Sequence, residues 1–277
     1  MINNYYVYFI NMDKFVHTSN KNNKIKRYAI TFGEVAIIHV GSKEIGSGRR
    51  NQGFSVPELE NIAEKYPNSK VYYLHSELPF VDSNYDAATL VIKKGVDILL
   101  GEGTSDLMLQ EQDNLQYDTK YFDRRRGKTL NKRARLNITF GPQSIAHSDD
   151  YKQYTVAGFN QLPYLKKIKD MLPIVFGEKA DNLNAEGNYY FEIKSGIGFH
   201  GDVERKIVIC ICLGSKSTLR YRWRKPGSSE NILTPVDLQL EHGDIYIMSE
   251  KATGYDWKKR SKWRLVHGAG HGKYIDK

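Results

Sequence analysis

The C-terminal half of the chain is cut at close intervals by glycine-marked turns, and this constrains the fold more than any other feature. Turn signals fall at Gly196, Gly214, Pro226-Gly227, Gly243-Asp244 and Gly254. Between two of them runs the apolar stretch Ile207-Val-Ile-Cys-Ile-Cys-Leu213. Short strands separated by turns suggest a sandwich, a barrel or a jelly roll. The same apolar runs are far below the ~20 residues that a membrane span needs. The opening Met1-Ile-Asn-Asn-Tyr5 is polar and aromatic, without the basic and then apolar segments of a secretory signal. The expectation is an intracellular protein, cytoplasmic or nuclear, with no membrane partner.

The first hundred residues differ in texture. A strand or arm is expected over Tyr5 to Ile10, followed by a polar tether through Lys21-Asn-Asn-Lys24. Tyr28-Ala-Ile-Thr-Phe32 and Ala36-Ile-Ile-His-Val40 are β-branched runs that favour strands. Ser55-Val-Pro-Glu-Leu-Glu60 opens a helix, with Ser as cap, Pro just inside and acids in the first turn. Lys70 to His75 reads as another strand. Residues 1–100 are therefore expected to form a small α/β unit without an assigned role, and residues 101–277 a second domain. In that second part, Ser105 to Gln112 and Pro163 to Leu172 read as helices. Gly46-Ser-Gly48 lacks the third glycine, the Gly-Lys-Ser/Thr and the helix that a phosphate loop requires, so it reads as a basic loop.

Charge and cysteine content narrow the function classes. The 41 Lys+Arg against 32 Asp+Glu give a formal net charge of +9, compatible with simple solubility and with a polyanionic partner. Cys210 and Cys212 sit among Ile, Val and Leu. They read as small core residues in a reducing compartment, and two thiols alone cannot make a zinc site.

The chemistry-bearing segment is Gly198-Phe-His200-Gly-Asp202. Residues two apart in a strand project to one face, so His200 and Asp202 can meet at one point. An imidazole and a carboxylate, joined by a distant histidine, form the facial triad that holds non-haem iron and leaves coordination positions open. Three histidines follow. His242 precedes Gly243-Asp244, His271 lies in a glycine-rich tail, and His267 ends the strand-like Trp263-Arg-Leu-Val-His267 before small residues. His267 is the favoured third ligand, because small neighbours let a metal approach closely.

The segment Asn188-Tyr-Tyr190 followed by His200-Gly-Asp202 resembles the core of the AlkB-like Fe(II)/2-oxoglutarate-dependent dioxygenases. Upstream, Arg126-Gly-Lys128 through Arg133-Ala-Arg135 to Phe140-Gly141 looks like that family's substrate-lid stretch, and Leu162 to Leu172 resembles the helix after it. Downstream, Gly243-Asp-Ile-Tyr-Ile-Met248 looks like the strand leading to the distal ligand. The resemblance spans roughly residues 120 to 270. It implies an α+β chain whose C-terminal domain is a double-stranded β-helix, or jelly roll. It implies that His200 and Asp202 bind Fe(II) together with a later histidine, for which His267 is favoured over His242 and His271, and that Asn188 and Tyr190 hydrogen-bond the cosubstrate 2-oxoglutarate. It also implies a reaction with O2 that hydroxylates a C–H bond, and releases formaldehyde when that carbon is an N-methyl group. The chain departs from the family after His267. Only ten residues follow, without the usual Arg-x5-Arg whose first arginine grips the far carboxylate. Lys273 is the basic residue placed late enough to take that role. A longer basic insert, Lys251 to Lys262, precedes His267.

Three basic clusters bear on the substrate: Lys120 to Arg135, Arg220 to Lys225, and Lys258 to Arg264 with Trp257 and Trp263 interleaved. Phosphates call for Lys and Arg, and bases stack on aromatic rings. Lys128, Lys132, Arg133 and Arg135, on the expected lid, are the candidate nucleic-acid contacts. The expected activity is oxidative demethylation of an alkylated base in DNA or RNA, as in DNA repair. Hydroxylation of a protein or small molecule, and a jelly roll that binds nucleic acid without catalysis, are the competing readings.

Overall fold

A computed structural model describes residues 24–36, 45–46, 48–153, 155–230, 233–270 and 272–276. The expected arm Tyr5–Ile10 and most of the Ala36–Val40 run lie outside these residues, as does His271.

Alternation within one strand organises the molecule. In Lys24–Gly33, Tyr28, Ile30 and Phe32 are buried in one core, while Arg27, Ala29 and Thr31 lie on the opposite face. Val208–Gly214 repeats the pattern. Ile209, Ile211 and Leu213 enter the first core, and Val208, Cys210 and Cys212 a second. Both cysteines are free, buried and on the same face of their strand. Burial on both sides explains why these strands read as continuous apolar runs, each full Ile or Leu burial contributing about 1.5–3 kcal/mol.

These two strands are neighbours inside an eight-stranded sheet. Its order is Ser69–Tyr73, Ala88–Ile92, Ile245–Met248, Val208–Gly214, Lys24–Gly33, Asn184–Glu192, Leu136–Gly141, Val156–Gly158. Only the last pair is parallel. Gly196–His200, Arg264–Gly270, Ser217–Arg224 and Val236–Leu240 form a second, antiparallel sheet. Its Leu219, Tyr221, Trp223 and Leu265 share the second core with the even-numbered face of Val208–Gly214. The first core is closed by helices: Leu59 and Ile62 from Val56–Ala63, and Leu165, Ile168 and Leu172 from Pro163–Phe176. The molecule is thus a sheet-rich α+β fold.

Local signals explain the helix ends. Ser55 accepts the Glu58 N–H while the Glu58 carboxylate accepts the Ser55 N–H, a reciprocal capping box. Pro163–Phe176 has no side-chain cap of its own. Glu111, in the helix Thr104–Asp113, instead accepts the N–H groups of Tyr164 and Leu165, placing an anion at the positive end of the later helix.

The division expected near residue 100 is not a break in the sheet. Lys24–Gly33 is hydrogen-bonded on both edges by strands from after residue 180, and Ala88–Ile92 pairs with Ile245–Met248. The first hundred residues contribute the centre and one flank of the larger sheet. No helix among the described residues is long and apolar enough to cross a membrane.

Candidate metal centre

His200 ends the strand Gly196–His200, and Asp202 follows in a loop rather than in the strand. The expectation that strand alternation brings the two together therefore needs correcting. The strand stops before Gly201, and the Asp202 N–H bonds to the Thr253 carbonyl, which anchors the backbone that carries the carboxylate. Gly201 is required sterically: a Cβ there would lie 2.2 Å from the Gly254 carbonyl oxygen. His267 lies in Arg264–Gly270, in register with His200 on one side and Tyr221 on the other. His200 Nε2 is 3.6 Å from Asp202 Oδ1, and His267 Nε2 is 4.0 Å from the same oxygen. One ligand atom from each of the three residues lies within 4.8 Å of the others.

The electrostatics suit a cation. His200 Nδ1 faces the Gly198 carbonyl at 2.8 Å, so with a proton on Nδ1 the Nε2 lone pair is directed at the cluster. Burial lowers the pKa of His200, and lowers that of His267 to about 3, with positive charge on His200 as the second cause. Both imidazoles are thus neutral donors at neutral pH. Burial alone would push the Asp202 carboxyl up, but Arg205 and then the two histidines outweigh it and hold it below the usual carboxylate range. Arg205 is itself buried, 3.5 Å from Asp202, 3.3 Å from Glu186 and 3.2 Å from Glu204. Two neutral imidazoles, one anionic carboxylate and a His Nδ1 fixed by backbone make the set compatible with a divalent metal ion.

The three residues line a cavity of about 950 Å³ between the two sheets. Asn188 and Tyr190 line it as well, on the same face of Asn184–Glu192. Asn188 Oδ1 accepts from Arg135 Nε and from Asn137 Nδ2, each at 2.6 Å. Arg135, expected among the nucleic-acid contacts, therefore belongs to the cavity wall. Tyr190 is 5% exposed, and burial raises its pKa, so its hydroxyl keeps its proton at neutral pH.

The other expected site residues are elsewhere. Lys273 lies exposed on the short helix Gly272–Ile275, its ammonium 4.8 Å from the Tyr274 ring, and is not part of the cavity wall. Lys128 and Arg133 are exposed on and after the hairpin Lys120–Asp123 and Lys128–Asn131. Lys132 beside them is partly buried, and desolvation pushes its pKa down to about 8. In the basic insert, Lys251 is not a free cation: it is buried, 2.8 Å from Asp256. His242 takes the Gly214 N–H on its Nδ1 and faces Asp106 through Nε2, so it serves a turn.

Sequence reasoning missed Arg205 and Arg27. Arg205 had a local signal, since Asp202-Val-Glu204-Arg205 gathers charges beside the motif. Arg27 had almost none. It follows Lys24-Ile-Lys26 and reads as the end of a solvated tether, yet it is 7% exposed and lines the cavity.

The fold and the site define a sheet-rich α+β protein carrying a two-histidine, one-carboxylate cluster, with Asp202 and His267 buried and His200 partly so, in a cavity between its sheets. No protein-family model matches the chain. The chain belongs to the same family as "Uncharacterized protein R156" of Acanthamoeba polyphaga mimivirus, to which it is 38% identical over 255 residues, covering 89% of this chain and 96% of that protein.

Proposed function

We propose that the protein is an AlkB-like Fe(II)- and 2-oxoglutarate-dependent dioxygenase acting on alkylated bases in DNA or RNA, most simply by oxidative removal of an N-methyl group. The observation that carries this reading is the convergence of His200, Asp202 and His267 within 4.8 Å at the wall of a large cavity. Two antiparallel layers facing each other across that cavity are what a double-stranded β-helix would provide.

His200 Nε2, Asp202 and His267 would hold the iron, which with O2 and 2-oxoglutarate supplies the oxidising power for C–H hydroxylation. The protein's own contribution is positional. The Gly198 carbonyl orients the His200 ring, and the Thr253 carbonyl anchors the backbone at Asp202. Arg205 keeps the Asp202 carboxylate charged. Arg135 and Asn137 hold the Asn188 amide oxygen, and the Asn188 NH2 group donates to Glu186 Oε1 at 3.4 Å, so the amide is oriented from both ends at the cavity wall. The Tyr190 hydroxyl remains protonated and can donate to an anion. The wall toward Val208, Leu219 and Leu240 is apolar and offers water no hydrogen-bonding side chain. At the mouth, Arg49, Trp257 and Lys258 line the cavity with cationic and aromatic groups suited to a phosphate-bearing substrate. Arg124, Arg125 and Arg126 are exposed at the turn between Lys120–Asp123 and Lys128–Asn131 and offer further cations for such a substrate.

The test is anaerobic reconstitution with Fe(II), then measurement of succinate formed from 2-oxoglutarate on admitting O2, with and without methylated oligonucleotides. Succinate formation stimulated by a methylated oligonucleotide is expected. Absence of iron binding and turnover overturns the enzyme reading and favours a binding module. Turnover indifferent to oligonucleotide overturns the nucleic-acid substrate and favours a protein or small molecule.

A further inference from the structure

The buried cations around the cavity are not equivalent. Arg205 is surrounded by three carboxylates. Arg27, also buried though less deeply, has none: among the described residues its hydrogen-bond partner is the Lys216 carbonyl at 3.3 Å, and its Nε, like that of Arg205, has no hydrogen-bond partner. Its guanidinium lies 5.3 Å from the centre of the Tyr190 ring, and the two residues are register partners on adjacent strands. A lone arginine taken out of water and left without a counter-charge is costly, and a fold keeps one where an anion completes it.

Its place along the cavity is also informative. Arg27, Ala29 and Thr31 alternate onto the cavity wall opposite Tyr190, Asn188 and Glu186. At the Glu186 end, Arg205 bridges Glu186 to Asp202, at 3.3 Å and 3.5 Å, and Arg135 donates to Asn188 in the middle of the run. Arg27 is paired with Tyr190 at the other end of the same run, four residues along both strands from the Thr31–Glu186 pair. Arg27 thus marks the end of the cavity beyond Tyr190 as seen from the metal ligands. The stretch after His267 contains no arginine, and its Lys273 is outside the cavity.

We propose that Arg27, from the first described strand, takes the far carboxylate of a dicarboxylate whose other end lies toward His200, Asp202 and His267. This rests on the dioxygenase reading, with 2-oxoglutarate as the dicarboxylate. The planar guanidinium offers a carboxylate two parallel donors, the Tyr190 hydroxyl offers a third, and one uncompensated positive charge matches one carboxylate. Arg27 is a binding residue for the cosubstrate, supplied by a segment that precedes every recognised motif of the chain.

The test compares wild type with Arg27→Gln and Arg27→Lys as full-length, Fe(II)-loaded protein under anaerobic conditions. Calorimetric affinity is measured for 2-oxoglutarate, for 2-oxobutyrate, which keeps the 2-oxo acid but lacks the far carboxylate, and for inorganic phosphate. Wild type is expected to prefer 2-oxoglutarate over 2-oxobutyrate by about tenfold to hundredfold, the range for a charge-assisted hydrogen-bonded pair. Arg27→Gln is expected to erase that preference while leaving Fe(II) affinity unchanged, and Arg27→Lys to keep part of it. The metal-free Arg27→Gln protein should melt no lower than wild type, since it loses an uncompensated buried charge, and should lose the rise in melting temperature that 2-oxoglutarate gives wild type. An Arg27→Gln protein that retains the preference or the thermal rise overturns the assignment and leaves the dioxygenase reading intact. Wild type that binds Fe(II) but neither oxo acid overturns the dioxygenase reading and this inference with it. Wild type that binds phosphate through Arg27 more tightly than 2-oxoglutarate overturns the carboxylate assignment. If Arg27→Gln does not fold, a reduced preference in folded Arg27→Lys supports the proposal, and an undiminished wild-type preference in that variant overturns it.

Discussion

His200 and His267 are register partners on adjacent antiparallel strands, and their rings meet edge to face with centroids 4.6 Å apart. Two imidazoles brought this close in a buried place repel each other when protonated and cooperate when neutral. This pairing, with Asp202 Oδ1 within 4.0 Å of both Nε2 atoms, makes the site compatible with a cation and sensitive to acid.

Removal of any one ligand should be more damaging than loss of a supporting partner, which typically costs ~10–100-fold in metal affinity. His200→Ala, Asp202→Ala and His267→Ala are each expected to weaken Fe(II) or Co(II) binding by more than roughly 100-fold and to abolish iron-dependent turnover. Metal titration followed by absorption checks the first, and succinate formation the second. Unchanged activity in His200→Ala or Asp202→Ala would show that the cluster is not the metal site.

Acid should destabilise the metal-free protein through His267. Its pKa is about 3 in the folded state, because of burial first and His200 second, against about 6.5 unfolded. Between those values the unfolded chain binds the extra proton, so stability rises with pH across this window and is fully present above about 6.5. Urea midpoints measured from pH 4 to pH 8 should fall on the acid side in wild type. The fall should be shallower in His267→Phe, which cannot titrate, and identical slopes in the two proteins would refute the assignment.

Gly201→Ala should disturb the site without touching a ligand. The added Cβ would come 2.2 Å from the Gly254 carbonyl and 2.7 Å from the Trp257 ring, and backbone does not yield as a flexible side chain does. A destabilisation of about 1–3 kcal/mol is expected, read as a lowered melting temperature, together with weaker metal binding as Asp202 is displaced. Gly198→Ala, where a Cβ meets nothing within 4 Å, is the matched control and should be close to neutral.

The basic hairpin offers a test of nucleic-acid contact separable from chemistry. Lys128 and Arg133 are exposed and lie outside the cavity wall. Lys128→Gln and Arg133→Gln are each expected to weaken oligonucleotide binding similarly across sequences and to reduce the slope of log affinity against log salt by about 1. Fluorescence anisotropy at several salt concentrations reads both. An unchanged slope in the double variant would exclude these side chains as phosphate contacts.

Part of this architecture was legible in the sequence, and the reason differs from element to element. The helix at Val56–Ala63 was readable because Ser55, Pro57 and Glu58 act within one turn. The sequence also nominated His200, Asp202 and His267 together, since their types and order are constrained by what holds a metal. The geometry behind Asp202 was not readable, because it depends on Thr253 and Gly254, fifty residues away in the chain. Lys251 read as part of a solvated basic run because its partner Asp256 matters only once both are buried. Arg27 was hidden for the same reason: nothing local distinguishes a tether lysine or arginine from one that strand pairing carries into a cavity.

The middle position of Lys24–Gly33 in the larger sheet has a consequence for synthesis on the ribosome. Its two hydrogen-bonding neighbours, Asn184–Glu192 and Val208–Gly214, emerge long after it does. At roughly 5–20 residues per second, the strand spends on the order of eight to thirty seconds with both edges open. During that interval its Tyr, Ile and Phe side chains and unpaired backbone groups are available to any passing strand. A nascent chain built this way has reason to rely on holding factors until residue 214 is out. Variants that slow translation between Gly33 and Asn184 would then lower the yield of folded protein without altering its final stability.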